Sequence, residues 1–331
     1  MTHSASCTIG CRRFDVNDQA MFARLSGDAN PIHVDAVAAR RSVLRDVVVH
    51  GVHTVIWALE QLANTPFCPK QISALDVRFP RPIYLGSDVV LRLESNIGTA
   101  LHLIAAVGGK TVVSIKLESQ TLPQEPESVQ DGIIEPASLP LDTAFDDLSG
   151  MHGTVFYATT VDHFSTTFPA AAAVFGAPVL RDLAACSRLV GMDCPGLRSV
   201  FSRLSLTWQQ RGPAAPLNFS VTRIDPRFSL VVIAVHGAAV RGTIEAFSPQ
   251  PPPSQPSMGE LAQRIGSGDF SGQTALIIGG SRGLGELTAK CISAGGGRAL
   301  ITYVVGQSEA ERVVEEIRCV GGDARCFPYD V

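Results

Sequence analysis

The first long helical signal falls in "GVHTVIWALEQLANT", Gly51 to Thr65. Val52, Val55, Ile56, Leu59 and Leu62 recur there at i, i+3, i+4 and i+7, the period of one helix face. An earlier helix is predicted to begin at Asn30-Pro31, with Asn as the cap and Pro at the first helical position. After the apolar helix the period changes. "ISALDVRFPRPIYL", "DVVLRLESNI", "ALHLIAAVGG" and "KTVVSIKLES" are β-branched runs separated by Gly-containing breaks, which predicts an antiparallel meander. "PQEPESVQDGIIEPASLP" reads as a linker.

The pattern then returns. "LRDLAACSRLVGM" takes the place of the apolar helix, "FSRLSLTW" parallels "ISALDVRF", and "FSLVVIAVHGAAVRGTIEAF" parallels "LHLIAAVGGKTVVSIKLES". Three matches in the same order indicate a duplicated domain. Two such units are expected to pack as a pseudo-dimer, each covering the other's sheet. "SPQPPPSQPS" is a stiff Pro-rich linker, and "MGELAQRI" after it is a short amphipathic helix. From about Ser271 strand and helix alternate: "TALII", the turn "GGSRGLGE", "LTAKCISAGG", "RALITYV", "SEAERVVEEIRCVGG" and "ARCFPYDV". That alternation predicts a parallel α/β sheet, here with only three strands. The expected organisation is a first domain over 1–120, a linker over 121–152, a second domain over 153–247, a Pro-rich linker over 248–270 and a partial α/β unit over 271–331.

Composition narrows the function. The 331 residues are 45% hydrophobic and 18% charged, enough for sizeable cores. A net charge of −4 offers no basic field for nucleic acid or an anionic membrane. No run approaches the roughly 18 apolar residues of a membrane span, and the N-terminus lacks a secretory pattern. The eight cysteines form no CxxC pair and have no zinc-ligand spacing, so no metal is expected and free thiols in a reducing, cytoplasmic setting are.

The candidate chemistry lies in "SGDANPIHVDAVAAR". Asp28 and His33 are the residue types that move protons near neutral pH. The same string also reads as an ordinary capped helix start. The second repeat discriminates between the two. Where the first has "NPIHVDAVAA", the second has "FPAAAAVFGA": Pro169 stands in for Pro31, and Ala171 falls where His33 would be. The helix start survives there without Asp or His, so the fold does not need the pair. Asp35 and His53 are expected to be helix-surface or packing residues.

Together with "VVVHGVHTVIWALEQL" and "VRFPRPIYLGSDVVLRLE", this string resembles the MaoC-like, R-specific enoyl-thioester hydratases over about residues 12–118. The resemblance implies an α+β hot-dog fold, an antiparallel sheet wrapped around one apolar helix. With the repeat it implies a double hot-dog followed by a partial Rossmann-like unit. It implies Asp28 and His33 as the catalytic dyad and the Gly51 N–H as oxyanion donor, with Asn30, Pro31 and His50 on the substrate side. The second half is then a degenerate partner whose "AAAAVFGAP" segment lines an acyl tunnel.

"IGGSRGLG" and Asp330-Val331 resemble the N-terminal part of short-chain dehydrogenase/reductases. The resemblance implies dinucleotide binding by Gly279, Ser281, Arg282, Gly283, Leu284, Gly285, Asp330 and Val331. Arg282, with no acid at the end of the second strand, favours NADP. That family's Tyr-x-x-x-Lys does not occur in the sequence, so the unit is expected to be a cut-down or vestigial reductase.

The reading that follows is a hydro-lyase acting on 2-enoyl or 3-hydroxyacyl thioesters of CoA or an acyl carrier protein. It needs no cofactor for that step, and a homodimer is compatible with it. A hot-dog thioesterase and a non-catalytic docking scaffold for a ketoreductase are the alternatives.

Overall fold

The computed structural model describes residues 6–69, 71–119, 139–208, 216–250 and 254–330, in two compact units, Met1–Gln250 and Pro251–Val331. The first half of the first unit contains β1 (Cys7–Arg13), α1 (Val16–Ser26), α2 (Pro31–Val34), α3 (Ala36–Arg41), α4 (Gly51–Ala63), β2 (Ala74–Arg78), β3 (Asp88–Ile97), β4 (Ala100–Val107) and β5 (Lys110–Glu118). The second half repeats the order with β6 (His152–Val155), α5 (Val161–Thr167), α6 (Pro169–Phe175), α7 (Ala177–Arg188), β7 (Val200–Trp208), β8 (Leu217–Asp225), β9 (Leu230–His236) and β10 (Val240–Phe247). A π-helical turn, Leu189–Asp193, extends α7.

The ten strands form one antiparallel sheet in the order β1-β3-β4-β5-β2-β7-β10-β9-β8-β6. Numbered by repeat, the second five strands mirror the first five about the β2–β7 seam. There Ala74 faces Thr207 and Arg78 faces Arg203, so the two copies of one sequence motif pair with each other. The like charges are separated by Asp76, whose carboxylate takes two N–H groups of Arg203 at 2.9 and 2.5 Å. Joining the halves through their β2-type strands removes two sheet edges that would otherwise recruit other chains.

Each half wraps its sheet around a central helix, the hot-dog arrangement, and the first unit is a double hot-dog. Val52, Val55, Ile56, Leu59 and Leu62 of α4 are fully buried against Leu75, Val77, Leu91, Leu103 and Ile115 of the sheet. Truncating a leucine at such a position costs about 2–5 kcal/mol. The apolar stripe faces the sheet, but α6 and α7 cover the other side of α4, so His53 and Thr54 are buried as well. His53 is therefore a packing residue and not a surface one. Its ring stacks on Phe22 at 4.7 Å and meets Phe14 and Phe168 edge-on.

Residues 121–138 of the expected linker lie outside the described residues. The next stretch is structured rather than loose. The Leu141 N–H donates to Met192 O, its carbonyl accepts from Leu197 N, and Leu148 is fully buried. Among the described residues, no single helix is long and apolar enough to cross a membrane.

The second unit holds α8 (Met258–Ala262), β11 (Thr274–Ile277), α9 (Gly283–Ala294), β12 (Arg298–Tyr303), α10 (Gln307–Cys319) and β13 (Asp323–Pro328). Its three strands are parallel, in the order β11-β12-β13. α8, within the expected Pro-rich linker, belongs to this unit: Ser257 and Glu260 form its capping box, and Met258 enters the core. Lys290, 2% exposed, is held by Glu286 at 2.7 Å and Glu316 at 2.8 Å. Two carboxylates are what a buried ammonium needs to stay charged.

Candidate active site

Local chemistry brings Asp28 to its place. α1 ends on Gly27 in the left-handed conformation (φ 80°), and the Asp28 N–H donates to Ser26 Oγ at 3.1 Å. Glycine takes that conformation without the Cβ penalty. Asn30 then caps α2, its Oδ1 accepting from Ile32 N at 3.1 Å, and Pro31 opens the helix. The sequence reading of a capped helix start is correct, and the same turn also presents the polar pair. Asp35 caps α3, a structural task.

The second half completes the arrangement. Asp28 is 2% exposed. Its Oδ1 accepts from Asn30 N at 3.2 Å, and its Oδ2 accepts from Ser187 Oγ, at the end of α7, at 2.7 Å. Asn30 Nδ2 donates to the Gly191 carbonyl at 2.7 Å and lies 3.3 Å from those of Gly196 and Leu197. A Cβ on Gly191 would collide with the Asp28 carboxylate, so the π-helical turn approaches Asp28 only because that residue is glycine. Neither Ser187 nor Gly191 was singled out from sequence. One is a serine at a helix end and the other one of 30 glycines, with no motif around either.

His33 Nδ1 lies 2.7 Å from Val48 O. A carbonyl only accepts, so Nδ1 carries the hydrogen and Nε2 keeps its lone pair. Gln19 Nε2 donates to the same carbonyl at 2.7 Å and fixes it. His50 stacks on His33 with ring centroids 3.8 Å apart, and its Nε2 donates to the Asp28 carbonyl at 3.0 Å. His50 thus touches both members of the pair.

Burial raises the Asp28 carboxyl above its ordinary range; His33 and the Ser187 and Asn30 bonds oppose the shift. Burial lowers His33, against the pull of Asp28 and Val48 O, and lowers His50 further. A carboxyl that tends to hold its proton beside an imidazole that tends to stay neutral is a proton donor–acceptor pair. One ligand atom each from Asp28, His33 and His50 lies within 4.8 Å of the others, close enough to surround a cation. His50 Nε2 is already bonded to Asp28 O, which leaves the set better arranged for protons than for a metal.

The pair opens on a cavity of about 230 Å³. Gly51, the first residue of α4, is on its wall. The first N–H groups of a helix have no partner within it and carry the positive end of its dipole, so this wall is suited to a developing oxyanion. The rest of the lining is mainly apolar and comes from both halves, including Phe79 and Val113 from one and Val190, Phe201 and Phe247 from the other. The segment Ala170–Pro178 is not part of this lining, contrary to the tunnel role expected of it. It forms α6 and the start of α7, and the N–H groups of Ala170 and Ala171 donate to Glu60 of α4 at 3.2 and 2.7 Å. Glu60 therefore caps the start of α6 through the N–H of Ala171, the residue at the position of His33.

In the second unit, Gly279 (φ 74°) and Gly283 (φ 58°) turn the chain between β11 and α9, and a Cβ on Gly285 would strike the Gly279 carbonyl. These glycines fit a dinucleotide pyrophosphate at the start of α9. Arg282 is the N-cap of that helix. Ser281 and Leu284 lie in the same turn, and Asp330 is exposed after β13. Val331 lies outside the described residues.

Residues 5–113 match the family model described as MaoC like domain, and this segment is a MaoC-like domain. A stretch of 103 residues, 29% of this chain, is 33% identical to 17% of the peroxisomal multifunctional enzyme type 2 of Drosophila melanogaster. A further 62 residues, 19% of the chain, are 35% identical to 23% of a short-chain dehydrogenase/reductase of Pestalotiopsis microspora. The chain thus spans about a fifth of the length of the curated relatives it matches. A solved MaoC-like dehydratase aligns over 74% of this chain and 98% of its own, with 12% identity and a TM-score of 0.49.

Proposed function

We propose that the protein hydrates 2-enoyl thioesters to (R)-3-hydroxyacyl thioesters and catalyses the reverse dehydration. The observation that carries this reading is the Asp28–His33 pair, buried at the head of an apolar cavity that also exposes the start of α4.

The chemistry balances on these groups. A water lying between the two side chains gives a proton to His33 Nε2 as its oxygen adds to C3 of the enoyl group. The Asp28 carboxyl gives its proton to C2. Negative charge gathers meanwhile on the thioester oxygen, where the Gly51 N–H meets it. Proton return from the imidazolium to the carboxylate restores the pair, whose atoms lie within 4.8 Å. Dehydration runs the same transfers backwards. Asn30 and Pro31 shape the turn, and His50 holds its backbone.

The acyl group rides on CoA or on a carrier protein. In the same reading the Gly279–Gly285 turn holds a nicotinamide dinucleotide, with Arg282 toward a 2′-phosphate, which supplies hydride chemistry where a complete reductase site is present. The 331 residues contain no Tyr-x-x-x-Lys, and no reduction step is assigned to them. A partner reaction that makes 3-hydroxyacyl thioesters favours the dehydration direction.

The test is incubation of the purified chain with crotonyl-CoA, following loss of the conjugated enoyl absorbance and the configuration of the product. Formation of (R)-3-hydroxybutyryl-CoA is expected. Release of free CoA thiol without hydroxyacyl product would mean attack at the carbonyl carbon, and would replace this reading with a thioesterase.

A further inference from the structure

The cavity lining is graded from buried to exposed. Asp28, His33 and Ser187 are buried, and the exposed lining residues are the consecutive Pro80, Arg81 and Pro82. A thioester reacting at Asp28 must send its carrier arm out past these three. Arg81 is also the one Arg or Lys among the lining residues. Its position is built rather than incidental. Prolines on both sides restrict the backbone. The loop is tied to the catalytic segment by Val49 N→Ile83 O at 2.8 Å and Leu85 N→Val47 O at 3.0 Å. One Nη donates to Thr111 O at 2.9 Å, which orients the guanidinium. Among the described residues Arg81 forms no ion pair. A guanidinium with no carboxylate partner, at the mouth of a cavity, is suited to a phosphate.

We propose that Arg81 binds the phosphate of a phosphopantetheine arm, the group shared by CoA and by an acyl carrier, and so selects phosphorylated thioesters for this site. The proposal rests on the hydratase reading, and its test separates the two. Crotonyl-CoA, crotonyl-phosphopantetheine and crotonyl-N-acetylcysteamine carry the same reacting group. The first two have the phosphate and the third lacks it.

The experiment measures kcat/KM for all three with the full chain and with Arg81→Ala, and uses Arg227→Ala as a remote charge control. The expected result is that Arg81→Ala lowers the preference for both phosphorylated esters over the N-acetylcysteamine ester at least about tenfold, as for loss of one charge-assisted hydrogen bond, mainly through KM. Arg227→Ala should not change that preference. An unchanged preference in Arg81→Ala overturns the proposal. So does a loss confined to crotonyl-CoA, which would place Arg81 at the nucleotide end and make free CoA the source. Turnover of the N-acetylcysteamine ester by the parent chain keeps the hydratase reading standing whichever result is obtained. No turnover of any ester would instead defeat that reading.

Discussion

The Ser187 hydroxyl donates to Asp28 Oδ2 at 2.7 Å, across 159 positions of sequence and across the boundary between the two hot-dog halves. The second half therefore holds the Asp28 carboxyl of the first. Removing this bond takes a donor from a buried carboxyl. Ser187→Ala should lower kcat about tenfold, the scale of one buried hydrogen bond, with little change in KM. The bond holds the Asp28 pKa down, so its loss should move the corresponding limb of the pH–rate profile to higher pH. A variant with parental kcat and an unshifted profile would show that Asp28 does not depend on the second half.

Asp28→Asn and His33→Ala should each lower kcat at least about 10²-fold, the usual scale for a general acid or base. Both proteins should stay folded, because the second half builds the same helix start with Pro169 and Ala171. Crotonyl-CoA turnover together with a circular dichroism melt checks this. More than half the parental activity in either variant would remove that residue from the chemistry.

Gly191→Ala tests the close approach from the other side. The added methyl would overlap the Asp28 carboxylate. Either the carboxylate or the π-helical turn must shift, at about 1–3 kcal/mol. Activity should fall more than stability, since the displaced group is the one proposed to react. A melting temperature and a turnover number measured on one preparation decide it.

His53 predicts an acid-sensitive fold. Burial lowers its pKa from 6.5 to about 3, and neither ring nitrogen has a hydrogen-bond partner. The unfolded chain therefore binds a proton near pH 6.5 that the folded chain refuses until about pH 3. Stability contributed by the neutral ring is full above pH 6.5 and is lost as pH falls toward 3, by several kcal/mol at the acid end. His50, also lowered by burial, acts in the same direction. His53→Phe keeps an aromatic ring against Phe22 and has nothing to protonate. Its urea midpoint should fall less than that of the parent between pH 6.5 and 4.5. Equal slopes would mean that His53 is not the responsible group.

The local arrangement of the site was legible in the sequence because it is built from short-range rules. Asn30 caps and Pro31 opens a helix wherever the chain allows it, and the five-residue spacing from Asp28 to His33 lies within one turn structure. The α4 stripe and the repeated strand pattern likewise belong to periods of 3.6 and 2, which are properties of consecutive residues. The duplication could be read because both halves keep those periods.

Other features depended on which surfaces meet. The α4 pattern shows one face for the sheet but not that α6 lies on the opposite face, and so His53 was compatible with either surface or core. The small, apolar Ala170–Pro178 segment suits a tunnel wall by composition alone, yet it packs on α4 and leaves the wall to Ser187, Val190, Gly191 and Phe201. Antiparallel pairing of β2 with β7 brings the end of α7 over Asp28. Sequence determined that this protein has two similar halves and that Asp28 and His33 share one turn of the first. Tertiary structure decided that the pair is completed by the second half, because the groups that hold Asp28 and Asn30 are separated from them by some 160 residues and are recognisable only by contact.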